Sequence, residues 1–345
     1  THNVGVQARL RDVGEFKNGA LGAWYEYRNY AAAGLNFTPD AEEYASAAYL
    51  YQEYQRGAWA ANAALRFDAR RVEPRQARFS RRVGEIETRD FSGISSGFSG
   101  QYSAKKHLVV GATLMRTFRA PSIEELFTEG PHLAAYAYEV GNGSLGDERG
   151  LGMELFVDYH PAGGHVHVAL FRNRINGYIF PKNTGKRSLR RADLFLYQTV
   201  GLRALMYGAE LAFEKELGQR WQTLGTLSYV QGRLTNIDDE PMPRLPPLQG
   251  QAGLAYKPSD ALQLSGGGRG AAAQKRIGPF EEPTNAYIVL DFSGQYYTHW
   301  RGHLHTVAIT LENASDATYR KHLNRVKEIL PEPGRNVRLL HKVFF

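Results

Sequence analysis

The chain has 345 residues, no cysteine and a net charge of +7, with charged residues at 22%. The lack of cysteine excludes disulfides, thiolate catalysis and cysteine zinc sites. The positive charge is spread without a polybasic run, which leaves nucleic-acid binding unsupported. Mean hydropathy is −0.44 and no run approaches the ~18 apolar residues of a membrane-spanning helix. A transmembrane β-barrel escapes that test, because only alternate residues face lipid.

Thr1-His2-Asn3 has neither the basic region nor the apolar core of a signal peptide. The N-terminus is therefore expected to be mature or to lie within a longer protein. About fifteen strand-like runs follow, near 2-12, 19-30, 44-55, 58-72, 89-102, 107-119, 150-160, 165-180, 195-216, 221-234, 249-257, 262-275, 287-298, 303-315 and 334-345. Alternation is clearest in the run from Tyr287 to Tyr297. Ile288, Leu290, Phe292, Gly294 and Tyr296 form an apolar face against Tyr287, Val289, Asp291, Ser293, Gln295 and Tyr297. Val307, Ile309 and Leu311 likewise oppose Thr306, Thr310 and Glu312.

The links between runs alternate in length. Arg56-Gly57, Ala104-Lys105, Pro161-Ala162-Gly163-Gly164, Gly218-Gln219, Pro258-Ser259-Asp260 and His299-Trp300-Arg301-Gly302 read as tight turns. Long polar links occupy 31-43, 73-88, 120-149, 181-194, 235-248, 276-286 and 316-333. Short periplasmic turns and long extracellular loops are what a bacterial outer-membrane barrel has. The expected fold is all-β, an antiparallel transmembrane β-barrel. The final run, Val337 to Phe345, puts Val337, Leu339, His341, Val343 and Phe345 on one face and stops on an aromatic residue. If that strand ends on the periplasmic side, the first run descends from an extracellular loop, and upstream strands are missing. A plugged transporter of about 22 strands would contain these fifteen and some seven more. An open sheet edge in lipid costs several kcal/mol per unpaired backbone group, so this segment alone is expected to fold poorly.

At Thr117-Phe118-Arg119-Ala120-Pro121-Ser122-Ile123-Glu124-Glu125-Leu126-Phe127 the chain resembles TonB-dependent outer-membrane receptors. In family order come Gly141-Asn142-Gly143-Ser144-Leu145, Phe171-Arg172-Asn173-Arg174-Ile175-Asn176-Gly177-Tyr178-Ile179 and Tyr207-Gly208-Ala209-Glu210-Leu211. Pro243-Arg244-Leu245-Pro246-Pro247 is similar to a Pro-rich loop of the family. Leu311-Glu312-Asn313-Ala314-Ser315-Asp316-Ala317-Thr318-Tyr319 resembles its Asn-Leu-Phe-Asn-x-x-Tyr element, with Ala314 and Ser315 in place of the apolar pair. Pro333-Gly334-Arg335 closes the series, which spans about 117-345. The resemblance implies energised uptake, with a plug and a TonB box coupling the barrel to the TonB energy complex. Neither plug nor box is found here, and 1-345 reads as the C-terminal part of such a receptor. Phe345 is expected to be the terminal aromatic read by the barrel-assembly machinery. Outer-membrane lipid would surround the wall.

The stretch Phe127-Thr128-Glu129-Gly130-Pro131-His132, followed by Tyr138-Glu139-Val140-Gly141-Asn142, is similar to receptors implicated in zinc uptake. That likeness implies His132, Glu129 and Glu139 as metal ligands, with imidazole and carboxylate donors suited to zinc. A ferric siderophore or another metal chelate is the second ligand class. Tyr136, Tyr138, Arg190 and Arg191 would be its aromatic and cationic contacts, with Arg187 nearby. His322, beside Glu328 and Glu332 in the last long link, is a second candidate. His165-Val166-His167 and His303-Leu304-His305 follow short turns and are read as rim residues with structural roles.

No resident cofactor is expected. The ligand is the transported metal ion or metal chelate. A passive porin or structural barrel without a plug is the alternative function. Catalysis finds no support: no Gly-x-Ser-x-Gly presents a nucleophile, and Gly266-Gly267-Gly268 lies inside a strand run without the helix a phosphate loop needs.

Overall fold

The computed structural model describes residues 1–31, 37–80, 82–236 and 238–344. Phe345, the expected assembly signal, lies outside the described residues. Alternating polar and apolar side chains produce β1 (His2–Leu10), β2 (Phe16–Tyr30), β3 (Ala41–Arg56) and β4 (Trp59–Pro74). A small hairpin of β5 (Arg78–Ser80) and β6 (Gly84–Glu85) precedes β7 (Arg89–Lys105) and β8 (Leu108–Arg119). Helix α1 (Ile123–Phe127), β9 (Glu129–His132), a 3₁₀ turn (Leu133–Ala135) and β10 (Ala137–Val140) fill the next link. Then come β11 (Glu148–Tyr159), β12 (Gly164–Arg187), β13 (Phe195–Leu217), β14 (Trp221–Leu234) and the short β15 (Glu240–Pro241). The series ends with β16 (Gln249–Ser259), β17 (Leu262–Ala271), β18 (Tyr287–Trp300), β19 (His303–Glu312) and β20 (Asn336–Phe344).

The long strands match the fifteen expected runs and pair antiparallel with their sequence neighbours, except where β4 pairs with β7 past the β5–β6 hairpin, β8 bypasses the loop strands to pair with β11, and β14 pairs with β16 past the short β15. Among the described residues β1 and β20 form opposite edges and do not pair with each other. Two of the long links differ most from the sequence reading. The link expected over 181-194 shrinks to 188–194, because β12 continues to Arg187. It does so through a register shift between Ile175 and Tyr178, where Gly177 adopts φ +70°. An added Cβ there would also lie 2.6 Å from the Asp147 carbonyl oxygen. The link over 120-149 is likewise a folded unit rather than a plain polar loop.

Each strand gives the sheet one apolar and one polar face. Leu65, Phe67, Ile94, Phe98, Leu114, Leu155, Leu170, Leu290, Phe292 and Ile309 are all exposed on the apolar side. Near the short-turn end that side carries Trp59 tilted against Tyr102 (4.6 Å), Trp221 stacked on Tyr256 (4.2 Å), and exposed Trp300. An exposed apolar band flanked by aromatic residues is the lipid-facing surface of a transmembrane barrel. The polar side carries paired charges, including buried Glu43 between Arg28 and Arg70, and Arg269 with Asp291 at 2.7 Å. The apolar core sits at the long-loop end, where Ala41, Val72 and Phe91 of the wall meet Ile123, Leu126 and Phe127 of α1.

Candidate functional site

The 120–149 link is held by local caps and by distant backbone. Ser122 accepts from the Glu125 N–H at 3.2 Å while the Glu125 carboxylate accepts from the Ser122 N–H at 2.8 Å, a capping box. Ile123, Leu126 and Phe127 are almost fully buried. Past the helix, the Gly141 N–H donates to the Thr128 carbonyl (2.7 Å) and the Asn142 N–H to that of Glu125 (2.9 Å). These bonds supply partners for carbonyls that a short helix leaves orphaned. A Cβ at Gly141 would come within 2.7 Å of the Leu126 backbone, so only glycine permits this approach. A Gly141→Val substitution is expected to unseat α1 and to expose 120–149 to limited proteolysis, with the barrel strands still protected. Unchanged cleavage would show that the close approach is dispensable.

The hairpin of β9 and β10 decides which expected ligands meet. Glu129 pairs with Val140, Gly130 with Glu139 and His132 with Ala137. Side chains alternate along a strand, so His132 and Glu139 share one face while Glu129 and Tyr138 share the other. His132 Nδ1 lies 3.3 Å from Glu139 Oε1, and Arg325 Nη2 reaches the same oxygen at 2.8 Å. Glu129 is buried with the Tyr138 hydroxyl donating to it at 3.1 Å and Arg190 at 3.7 Å. Burial and the adjacent carboxylate push the Tyr138 hydroxyl above its usual pKa. The expected set of His132, Glu129 and Glu139 is thus divided by the hairpin, and only two of the three come together. Tyr136 is half-exposed at φ +48°, and Arg191 pairs with Asp193 at 2.9 Å. Glu125 is taken by the helix cap and by Arg119.

His322 anchors a buried network of which the other members were not apparent from the sequence. Thr284 Oγ1 and Lys327 Nζ lie 3.1 and 3.2 Å from its Nδ1. An ammonium only donates, so Nδ1 accepts and the proton of a neutral His322 sits on Nε2. Nε2 is 3.0 Å from Glu281 Oε1, although not aligned for a hydrogen bond. Lys327 Nζ lies 3.5 Å from the same oxygen, and the Arg244 and Gly278 N–H groups donate to the carboxylate at 3.1 and 3.2 Å. Burial opposes the charge on Glu281, but His322, the two N–H groups and Lys327 outweigh it and hold the carboxyl at about 2. Burial pushes the Lys327 ammonium below its usual pKa.

A pH dependence follows. A carboxyl depressed on folding contributes its stability in full above its ordinary value of 4.5 and loses it as pH falls through about 2. Protection of amides in 276–286 and 316–333, corrected for intrinsic exchange, is expected to hold down to about pH 5 and to fall below that. A loss beginning near neutral pH would contradict the assignment to Glu281.

Between these loops runs a cleft lined by Phe180, Lys182, Tyr197, Arg244, Phe280 and Arg325, with His322 and Lys327 at its wall. The Arg244 guanidinium lies 5.5 Å from the Tyr197 ring centre and makes no ion pair among the described residues. Lys182 pairs with Glu240 at 3.0 Å. Arg325, through Glu139, joins the last long loop to the 120–149 unit. The cleft offers aromatic faces and a guanidinium without a carboxylate partner, a combination that receives a planar or anionic molecule better than a bare cation. Its Pro243–Arg244 and Pro279–Phe280 segments carry proline, a sequence signal of fixed loop geometry. Pairing of Glu281 with Lys327 has no local signal.

The TonB dependent receptor-like β-barrel family model matches residues 1–314. Among solved structures, the chain is similar to the copper transporter OprC, at 19% identity and a TM-score of 0.79 over 99% of this chain and 56% of that one. It is also similar to the FrpB iron transporter from Neisseria meningitidis (15%, TM-score 0.72, 98% of this chain and 54% of that one). A third likeness is to the ferric enterobactin receptor from Pseudomonas aeruginosa (15%, 0.72, 99% and 54%). The chain spans about half the length of these proteins. At such identities the likeness establishes the fold, while the family match over most of the chain establishes kinship: this chain belongs to the TonB-dependent receptor-like β-barrel family.

Proposed function

We propose that this chain is the C-terminal wall of a receptor in the outer membrane of a Gram-negative bacterium, capturing a metal chelate in its long loops for energised import. A plug and the remaining strands of a barrel of about 22 would come from the rest of a longer protein. The plug would carry the contact with the TonB energy complex. Phe345 would serve recognition by the barrel-assembly machinery. The observation that carries the ligand reading is the aromatic and cationic cleft around Arg244 and Tyr197. An anionic ferric chelate finds there the Arg244 guanidinium, which has no ion-pair partner among the described residues, and rings to stack on. The transported copper and iron of similar structures agree with a metal-bearing ligand in general terms.

A second reading, direct capture of zinc, rests on the 3.3 Å contact of His132 with Glu139. Two ligands leave a zinc site open, so solvent or a rearranged Glu129 would have to complete it. Calorimetric titration of the full-length, metal-stripped receptor separates the two. Saturable binding of a ferric catecholate, weakened at least tenfold by Arg244→Ala and unmoved by His132→Ala, is expected. Zinc binding that disappears in His132→Ala, with no response to ferric chelates, would transfer the assignment to the second reading.

A further inference from the structure

At the opposite end from the long loops, the short turn between β11 and β12 gathers donors that the uptake reading does not use. Asp158, His160 and His165 each place one ligand atom within 4.8 Å of the others. His165 Nε2 and His167 Nδ1 both lie 2.9 Å from Asp158 Oδ1, and the His160 and His165 rings stack with centres 4.5 Å apart. Asp158 and His167 are direct partners in the β11–β12 register, so this arrangement stands on a rigid hairpin. Their side chains lie on the polar face, since Val157, Tyr159 and Val168 occupy the exposed apolar one. The Cα of Glu214 stands opposite His165 on β13.

We propose that Asp158, His160 and His165 form a binding site for a divalent transition-metal ion of the zinc or copper(II) class, at the short-turn rim of the barrel interior. Imidazole nitrogen and carboxylate oxygen are the donors such ions take, at about 2.0–2.2 Å from the metal. Tetrahedral bonds of that length put donor atoms roughly 3.3–3.5 Å apart. The present donors need only small side-chain rotations to reach this, and His160 and His165 are exposed enough to make them. Solvent supplies the fourth position. His167 does not join the donor group; it holds the Asp158 carboxylate and is a positioning residue. Nothing in this site depends on what the long loops capture.

The test is a copper(II) titration of the metal-stripped full chain in detergent, followed by electron paramagnetic resonance and by competition with zinc. One tightly bound ion with nitrogen hyperfine structure is expected. His160→Asn and His165→Asn should each weaken it at least tenfold, and His167→Gln by about 10–100-fold, while His299→Asn, near the turn after β18, leaves it unchanged. Affinity unmoved by both the His160 and His165 substitutions, or no bound ion at all, would overturn the proposal. Zinc protection against carbethoxylation, mapped in the unsubstituted protein, keeps the question open to a variant that fails to fold. His160 and His165 should be shielded and His299 should not; equal modification with and without zinc would count against the site.

Discussion

Phe127→Ala is expected to release the 120–149 unit from the barrel wall. Phe127 is 1% exposed and packs with Ile123, Leu126 and Leu145 against Val72 and Phe91. Truncating a buried phenylalanine costs about 3–5 kcal/mol, in part because the surroundings close the void only partially. The loss falls on the loop, because the long strands keep their ladder hydrogen bonds regardless of α1. Amide exchange over 123–145 should therefore accelerate at least a hundredfold, following about 1.4 kcal/mol per factor of ten, with β7, β8 and β11 as internal references. The His132 and Glu139 pair would lose its fixed position in the same variant. Unchanged exchange would mean that the strand pairing to β13 and the bonds to Phe37 and Arg325 hold the loop without the Phe127 ring.

Glu281→Ala is expected to be the most damaging single change in the other loops. It removes the carboxylate that faces Lys327 and His322, both about 5% exposed. Removing one partner of a buried ion pair costs about 3–5 kcal/mol, because the remaining charge stays desolvated without compensation. It also strips an acceptor from the Arg244 and Gly278 N–H groups. Exchange in 276–286 and 316–333 should rise at least a hundredfold, and the cleft around Arg244 should lose its shape. A double variant, Glu281→Gln with Lys327→Met, should recover most of the protection, since it removes both charges together. If the double variant is as labile as the single one, an acceptor for the N–H groups is not enough without the charges, and the ion pair itself holds these loops.

How far the sequence revealed this depends on how local each signal is. The wall was legible because alternation needs only neighbours: the Ile288-to-Tyr296 face was expected apolar and is exposed at Ile288, Leu290, Phe292 and Tyr296. The tight turns were legible too, because they need glycine, proline and aspartate, whereas the 181-194 link is shorter in the fold than in the sequence reading. The interior of the loops was not. The 120–149 unit is closed by the Thr128 hydroxyl donating to the Phe37 carbonyl at 3.0 Å, across 91 residues. The separation of Glu129 from His132 follows from a hairpin register that four-residue strands do not announce in their composition. Asn313 is intermediate. The motif around it resembled a family element, and its role is to accept from the Ala317 N–H (2.8 Å) and donate to the Ala317 and Pro333 carbonyls. That bracing carries the last loop back to the wall and explains why asparagine stands there.

The most direct test of the capture-and-import reading is uptake of a radiolabelled ferric chelate, and separately of radiolabelled zinc, by whole cells carrying the full-length receptor, with and without a functional TonB protein. Saturable accumulation of the ferric chelate that disappears when TonB is lost is the expected result. Accumulation of either solute that persists without TonB and does not saturate would contradict it and make the barrel a passive pore.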